Sequence, residues 1–210
     1  MATDIHELAM AERDRLVTAL THIPEVDWQT PSLCAGWTVR DTVAHLLMPY
    51  DLSIKGLLVG LVRSKLRFDR FADTWARQDN RTPDQLLTAL NTIDDSRFGG
   101  SGVPKVAGLS HLVSHGGDIY RPLGIDHVVD NDAAHIVLDE LVGRGRRSLP
   151  TGILEARRFR ATDIDWSHGA GATVSGSAAA LIVTLLGRDV ALPELNGDGV
   201  SGLPSRAPSD

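Results

Sequence analysis

Two histidines, His111 and His115, stand four residues apart in a segment whose pattern predicts a helix. Side chains at this spacing project from one face of a helix, so the two imidazoles can bind the same ion. A third histidine, His45, lies in another predicted helix, off its apolar stripe. Three imidazoles from two helices form a site that leaves one coordination position open for water or substrate. Such a nitrogen donor set suits Zn²⁺, with Ni²⁺, Fe²⁺ and Co²⁺ as alternatives.

The histidine spacing alone is also typical of a solvated helix face or of imidazoles that bond to neighbouring groups. Gly116 and Gly117, directly after His115, are costly inside a helix and need a packing or ligand reason, unless they end the helix. Cys34 lies in a predicted loop with no identifiable base beside it, which favours a buried small side chain over a reactive thiol. The remaining histidines are interpreted as surface or locally hydrogen-bonded residues, and only His168 is kept as a candidate site-lining group: His6, His22, His127, His135 and His168.

Composition excludes several classes of function. The 210 residues carry a net charge of −6 and 42% hydrophobic residues, as in an ordinary globular protein, and nucleic acid is not an expected partner. The apolar stretches are shorter than the ~20 residues of a spanning helix, and the N-terminus has no signal-like apolar run. We therefore expect a cytoplasmic protein with no membrane partner. A basic cluster is interpreted as a solvated helix face: Arg63, Lys65, Arg67 and Arg70.

Helix signals dominate the first two thirds of the chain. Pro49 is predicted to bend or interrupt the second helix, although residues 50–75 remain helix-compatible. Gly99, Gly100 and Gly102 are predicted to end the third helix. The predicted helix starts have an N-cap residue with a partner three residues later: Asp4 with Glu7, Thr38 with Asp41, and Thr82 with Gln85.

The pattern changes after Pro150. Residues 155–166 have no helical period, residues 167–171 are rich in turn formers, and the stretch through 175 predicts a β-hairpin. Ser177 to Leu186 predicts a last, apolar helix that ends at Gly187. The predicted organisation is a helical unit over residues 1–150, a small α/β unit over residues 151–205, and a tail over residues 206–210.

Several motifs resemble those of one known family. Residues 31–41 and 44–46 resemble the loop and second helix of the mycothiol-dependent maleylpyruvate isomerase family, a branch of the DinB-like metal-binding bundles. Residues 115–119 and 121–124 resemble its second signature. Residues 163–169, 174–176 and 186–188 resemble its small C-terminal domain. The likeness spans nearly the whole chain in the expected order.

This resemblance implies a mainly α fold: a DinB-like four-helix bundle with a small C-terminal α/β domain. It implies that His45, His111 and His115 are the metal ligands. The first histidine of the later pair is an acid in the isomerase itself, so His111 makes the site more similar to the all-histidine DinB-like kind. The implied activity is that of a metal-dependent enzyme that uses a low-molecular-weight thiol, mycothiol, as cosubstrate to isomerise a small electrophilic substrate or to attach the thiol to it through sulfur (S-transfer). A homodimer is left open.

The resemblance also gives two polar residues a candidate role around the metal. Asp118 is a candidate acceptor that orients an imidazole, or else a polar helix end beside Arg121. Arg188 is a candidate ligand for a carboxylate of the thiol or substrate, or else a cation that complements a helix C-terminus. Because similar folds need not share function, the alternative is a non-catalytic metal-binding or ligand-binding bundle with a stress-response or regulatory role.

Overall fold

The structure is a computed structural model that describes residues 4–99, 103–143 and 149–204. Within these ranges the helices are α1 (Ile5–Thr21), α2 (Val39–Asp51), α3 (Ile54–Arg63), α4 (Phe68–Gln78), α5 (Pro83–Thr92), α6 (Val106–Tyr120), α7 (Asn131–Val142) and α8 (Ala178–Leu185). Short 3₁₀ segments cover Glu25–Gln29, Asp95–Arg97 and Asp189–Glu194. The strands are β1 (Arg157–Ala161), β2 (Ser167–Gly169) and β3 (Ala172–Gly176).

Helices α1, α2, α5 and α6 form the bundle that carries the site. Both α1 and α2 contact α5 and α6, so the four helices surround one shared core. Leu16, Leu46, Leu90 and Leu109 are almost completely buried in that core. Helix α7 packs against α6 and α8, which joins the bundle to the C-terminal part of the chain.

The predicted start signals at α2 and α5 are confirmed. Thr38 accepts a hydrogen bond from the Asp41 N–H, and the Asp41 carboxylate accepts one from the Thr38 N–H at 3.0 Å. Thr82 and Gln85 form the same reciprocal pair at α5. These bonds satisfy backbone N–H groups that have no partner in the first turn of a helix.

The helix-compatible stretch of residues 50–75 is broken into separate helices. Helix α2 continues through Pro49 and ends at Asp51, and Ser53 then caps α3 by accepting a bond from the Gly56 N–H. Residues 64–67 form a turn before α4. Helix α5 ends at Thr92, ahead of the predicted glycine stop, and Gly100 and Gly102 lie outside the described residues.

The β-rich part beyond residue 150 differs in topology from the predicted hairpin. Strand β1 pairs antiparallel with β2 on one side and parallel with β3 on the other, giving the order β2-β1-β3. The connection from β2 to β3 crosses the start of β1, where Gly169 and Gly171 have positive φ angles. A Cβ at Gly171 would lie 2.1 Å from the Ala156 carbonyl oxygen, so only glycine fits this crossing.

Helix α8 connects the sheet to the bundle. Ser177 caps its start, and Gly187, with φ 79°, follows its end as predicted. The helix packs on α6, α7 and the sheet and leads directly to Arg188. The unit boundary near residue 150 stays a prediction, and the predicted tail at 206–210 lies outside the described residues. None of the described helices is both long and apolar enough to cross a bilayer.

Candidate metal centre

The three predicted ligand residues lie together inside the bundle. His45 comes from the middle of α2, and His111 and His115 come from successive turns of α6. One imidazole nitrogen from each lies within 4.8 Å of the other two. His45 is buried, with 8% of its surface exposed, whereas His111 and His115 are partly exposed and line the accessible side of the cluster.

The spacing of the three rings fits a single ion. The ring centroids of His45, His111 and His115 are 4.9 to 5.0 Å apart in every pair. Three imidazoles on one tetrahedral Zn²⁺ would place their centroids roughly 5.2 Å apart, given a Zn–N distance of about 2.1 Å. The triangle therefore has the size that a zinc-like ion requires.

Two nitrogens in this cluster have no hydrogen-bond partner among the described residues. These two atoms, Nδ1 of His45 and Nε2 of His111, are both buried. Buried polar atoms are nearly always paired, because an unpaired one carries its full desolvation cost. Burial also lowers the pKa of His45 to about 3 and holds the pKa of His111 well below its usual value, so both imidazoles are neutral at neutral pH. Neutral, unpaired nitrogens are what metal binding needs.

Asp118 forms a hydrogen bond with His115. The Nδ1–H of His115 donates to Oδ2 of Asp118 at 3.0 Å, which leaves Nε2 of the same ring for the cluster. Asp118 is only 1% exposed. A carboxylate behind a histidine in this way fixes the tautomer and the ring plane of a metal ligand.

Arg188 contacts the same carboxylate from the end of α8. Its Nε donates to Oδ1 of Asp118 at 2.8 Å and its Nη2 to Oδ2 at 3.1 Å, while Nη1 reaches the Leu186 carbonyl at 3.4 Å. The guanidinium thus forms a bidentate ion pair inside the protein and also complements the C-terminus of α8. Burial of Asp118 disfavours its charge, but the hydrogen bonds from His115 and Arg188 outweigh burial and hold its pKa well below the usual range.

Cys34 is a site residue that sequence reasoning missed. The expectation of a buried side chain is confirmed, whereas the expectation of no base beside it is wrong. Its thiol donates to Oδ2 of Asp118 at 3.0 Å, and its sulfur lies 3.6 Å from Nδ1 of His115. The sequence separation from Asp118 is 84 residues, so no local pattern signalled the contact. Burial, reinforced by the Asp118 charge, raises the pKa of Cys34, which keeps the thiol protonated.

Cys34, His115 and Asp118 also form a second group with ligand atoms at metal-binding distance from one another. The Arg188 guanidinium lies 3.6 Å from the cysteine sulfur and contacts both carboxylate oxygens. A cation placed there would face this fixed positive charge. The triad of histidines is therefore the better candidate centre.

Aromatic rings border the histidine triad. The ring of Trp37 lies 4.9 Å from that of His45, and the ring of Phe98 lies 5.4 Å from that of His111. Two surface clefts, of about 680 and 530 Å³, lie elsewhere, one beside Arg40 and the other beside Tyr120.

The structure does not bring His168 to the triad. It lies in β2, pairs with Phe159 of β1, and stacks on Trp166 with ring centroids 6.3 Å apart. His127, interpreted from the sequence as a surface or locally hydrogen-bonded residue, is partly buried, and burial lowers its pKa to about 4. It packs on the glycine face of α6, where a Cβ at Gly117 would lie 3.0 Å from its ring. Close packing of the His127 ring against α6 therefore explains why residue 117 is a glycine.

The fold and the site define the class of protein. The chain is a mainly helical DinB-like bundle with a small C-terminal α/β part, as predicted. Residues 9–97 match the family described as the mycothiol maleylpyruvate isomerase N-terminal domain, a range that includes Cys34 and His45. This match supports the resemblance seen in the motifs of the chain.

One solved structure supports the same fold. The chain is similar to a histidine-to-alanine mutant of the mycothiol-dependent maleylpyruvate isomerase, with a TM-score of 0.53 and 14% identity over 97% of this chain and 95% of that one. The crystal structure of the mycothiol-dependent maleylpyruvate isomerase gives a TM-score of 0.48 with the same identity and coverage. At this identity the likeness establishes the fold alone. No match was found among curated proteins.

Proposed function

We propose that the chain is a metal-dependent enzyme that uses a low-molecular-weight thiol, of the mycothiol kind, to isomerise a small electrophilic substrate or to attach the thiol to it through sulfur (S-transfer). The observation that carries the proposal is the triangle of His45, His111 and His115, with two buried nitrogens that lack partners. The match to this family model supports the thiol, because the matching domain is named for mycothiol. A bound divalent ion lowers the pKa of a thiol at its open position, so that a thiolate is available at neutral pH.

The residues of the chain have separate tasks in this proposal. The three histidines would hold the ion as neutral ligands, and the ion would then supply a positive charge that favours an anionic thiolate. Asp118 fixes the plane of the His115 ring, and Arg188 balances the charge of that carboxylate. Trp37 and Phe98 exclude water from two sides of the triad. The nucleophile comes from the cosubstrate, because Cys34 is buried and protonated.

A second candidate function is a non-catalytic metal-binding bundle with a stress-response or regulatory role. One observation favours it: the two surface clefts beside Arg40 and Tyr120 lie away from the histidines. A site that only stores or senses an ion needs no cavity for a thiol and a substrate. An enzyme of the proposed kind needs room beside the exposed edges of His111 and His115.

Metal analysis of untagged protein tests the site. We expect one divalent ion per chain in the wild type, and loss of stoichiometric metal in His111→Ala and in His115→Ala. His135→Ala is the matched control, because His135 is also helical but sits on an exposed face beside Asp139. Wild-type metal affinity in both site variants would disprove the assignment.

A thiol-consumption assay then separates the two functions. We expect the metal-loaded protein to consume a low-molecular-weight thiol or to isomerise an activated alkene in its presence, and the His115→Ala variant to lose this activity. Stoichiometric metal with no thiol-dependent turnover across a panel of electrophiles would favour the non-catalytic function.

A further inference from the structure

Helix α3 is apolar around most of its circumference, yet only one of its sides is covered. Its inner side packs against α4, where Leu57 contacts the cluster around Phe71, and Gly60 permits this approach because a Cβ there would lie 2.1 Å from the Phe71 ring. Its outer side exposes Leu58 and Val62, which are 60% and 71% exposed. A helix that is apolar all round is normally buried. Within the described part of the chain nothing covers this outer side.

The turn that follows α3 extends the same apolar surface. Leu66 is 77% exposed and Phe68 is 53% exposed. Lys65 and Leu66 have φ angles of 54° and 62°, in the left-handed region that side chains with a Cβ rarely adopt. The Leu66 N–H donates to the Leu61 carbonyl at 2.7 Å, so the turn is closed by a backbone bond. The fold thus keeps the exposed Leu66 side chain in this turn although the backbone there is strained.

The charge around this surface is opposite to that of the whole chain. Residues 52–70 contain five cations and one acid, a net charge of +4, whereas the full sequence has −6. The acid, Asp69, is paired with Arg67 at 2.6 Å. Within the described residues no ion pair is made by the other exposed cations of this segment: Lys55, Arg63, Lys65 and Arg70.

We propose that this α3–α4 surface, formed by Leu58, Val59, Val62, Leu66 and Phe68 with their neighbouring cations, docks on an anionic lipid surface. Exposed apolar side chains with Lys and Arg beside them are the features of helices that lie in a membrane interface, with their apolar face ~5–10 Å deep and their cations at the headgroups. The sequence-based interpretation of a solvated basic face does not explain why these apolar side chains stay uncovered.

A second copy of the chain is a poorer occupant of this surface. A two-fold interface places the same patch on both partners. The cations of one copy, Arg63, Lys65 and Arg70, would then lie close to the same cations of the other copy, and like charges across an interface are unfavourable. An anionic bilayer satisfies the apolar and the cationic parts of the surface together. The sequence predicts no membrane partner, whereas this surface favours peripheral binding to a membrane.

Vesicle sedimentation tests the proposal with the full chain. We expect binding to vesicles of phosphatidylcholine mixed with phosphatidylglycerol, much weaker binding to phosphatidylcholine alone, and loss of binding at high salt. Val62→Asp and the double variant Arg63→Glu/Lys65→Glu should each weaken binding by ~10-fold or more. Val62→Asp places a negative charge in the apolar part of the surface, and the double variant removes two cations, each of which contributes several-fold in affinity near an anionic surface.

Matched controls come from other exposed positions. Val26 is 73% exposed in the 3₁₀ segment Glu25–Gln29, outside α3 and α4, and Arg158 and Arg160 are exposed on β1. Val26→Asp and Arg158→Glu/Arg160→Glu therefore change hydrophobicity and charge by the same amounts without touching the α3–α4 surface. We expect both controls to bind vesicles as the wild type does. Circular dichroism and metal content should be unchanged in all four variants, which separates this test from that of the metal site.

Three outcomes would overturn the proposal. The first is the same sedimentation with and without phosphatidylglycerol. The second is an equal loss of binding in the surface variants and their controls. The third is a dimer in solution that Val62→Asp dissociates, with no vesicle binding, which would assign the surface to a second copy of the chain.

Discussion

Asp118→Asn is the change whose consequences the structure defines best. In the wild type the Asp118 carboxylate accepts hydrogen bonds from His115, Arg188 and Cys34 at 2.8 to 3.1 Å, and it is 1% exposed. The amide has the same shape but no charge, so it leaves the Arg188 guanidinium buried opposite a neutral group. Breaking a buried ion pair from one side typically costs ~3–5 kcal/mol, because the remaining charge is uncompensated.

Two measurements on this variant report separate effects. Urea unfolding of the metal-free protein should show a loss of ~3 kcal/mol or more in the free energy of unfolding. Competition with a chelator should show metal affinity reduced ~10–100-fold, because His115 loses the carboxylate that orients it. The double variant Asp118→Asn/Arg188→Gln removes both charges, and it should recover part of the stability while the metal affinity stays low.

Asp139→Asn is the matched control for this change. Asp139 also accepts a side-chain hydrogen bond, from Trp166 at 2.8 Å, but its own side chain is 60% exposed. Its replacement should cost about 1 kcal/mol or less and leave the metal affinity unchanged. If Asp118→Asn costs no more stability than Asp139→Asn and binds metal as the wild type does, the role given to this carboxylate is refuted.

Three further predictions concern other parts of the site. Cys34→Ser should retain most thiol-dependent activity, whereas chelation should abolish it; turnover without added thiol that is lost in Cys34→Ser would contradict the mechanism. Gly117→Ala should destabilise by about 1–3 kcal/mol in urea unfolding, since its Cβ would lie 2.9 Å from Val183, whereas Gly116→Ala, with 3.4 Å to its nearest neighbour, should be neutral or stabilising. The metal-free protein should lose stability as the pH falls below about 6.5, because the unfolded chain protonates the His45 imidazole there while the folded protein does so only near pH 3; a flat unfolding midpoint between neutral pH and about pH 4 would contradict this.

Features set by neighbouring residues were predictable from the sequence. The capping boxes at Thr38 and Thr82 depend on residues three positions apart, so the starts of α2 and α5 followed directly. The pairing of His111 with His115 on one helix face depends on the same kind of short spacing. Their approach to His45 was an expectation from family resemblance, since it requires two helices to pack at one level of the bundle.

Features that depend on distant contacts were not predictable. Cys34 reaches Asp118 only because its loop packs against α6, and no local pattern records that contact. The parallel pairing of β1 with β3 depends on a crossing over Ala156, which turn-forming residues alone do not specify. The break at Lys65 and Leu66 has neither glycine nor proline, so the turn is imposed by the packing of α3 on α4 against local preference.

The position of Arg188 has a consequence for how the protein is made. Asp118 lies on α6, and its counter-ion stands 70 residues later in the chain, after α8. During synthesis the N-terminal bundle emerges first, so its helices can associate while Arg188 has yet to leave the ribosome. Until α8 packs on α6, Asp118 has no guanidinium partner, and the carboxylate that orients His115 stays hydrated. Correct orientation of the third histidine is therefore deferred until the last part of the chain has folded, and a nascent or truncated chain should bind metal weakly.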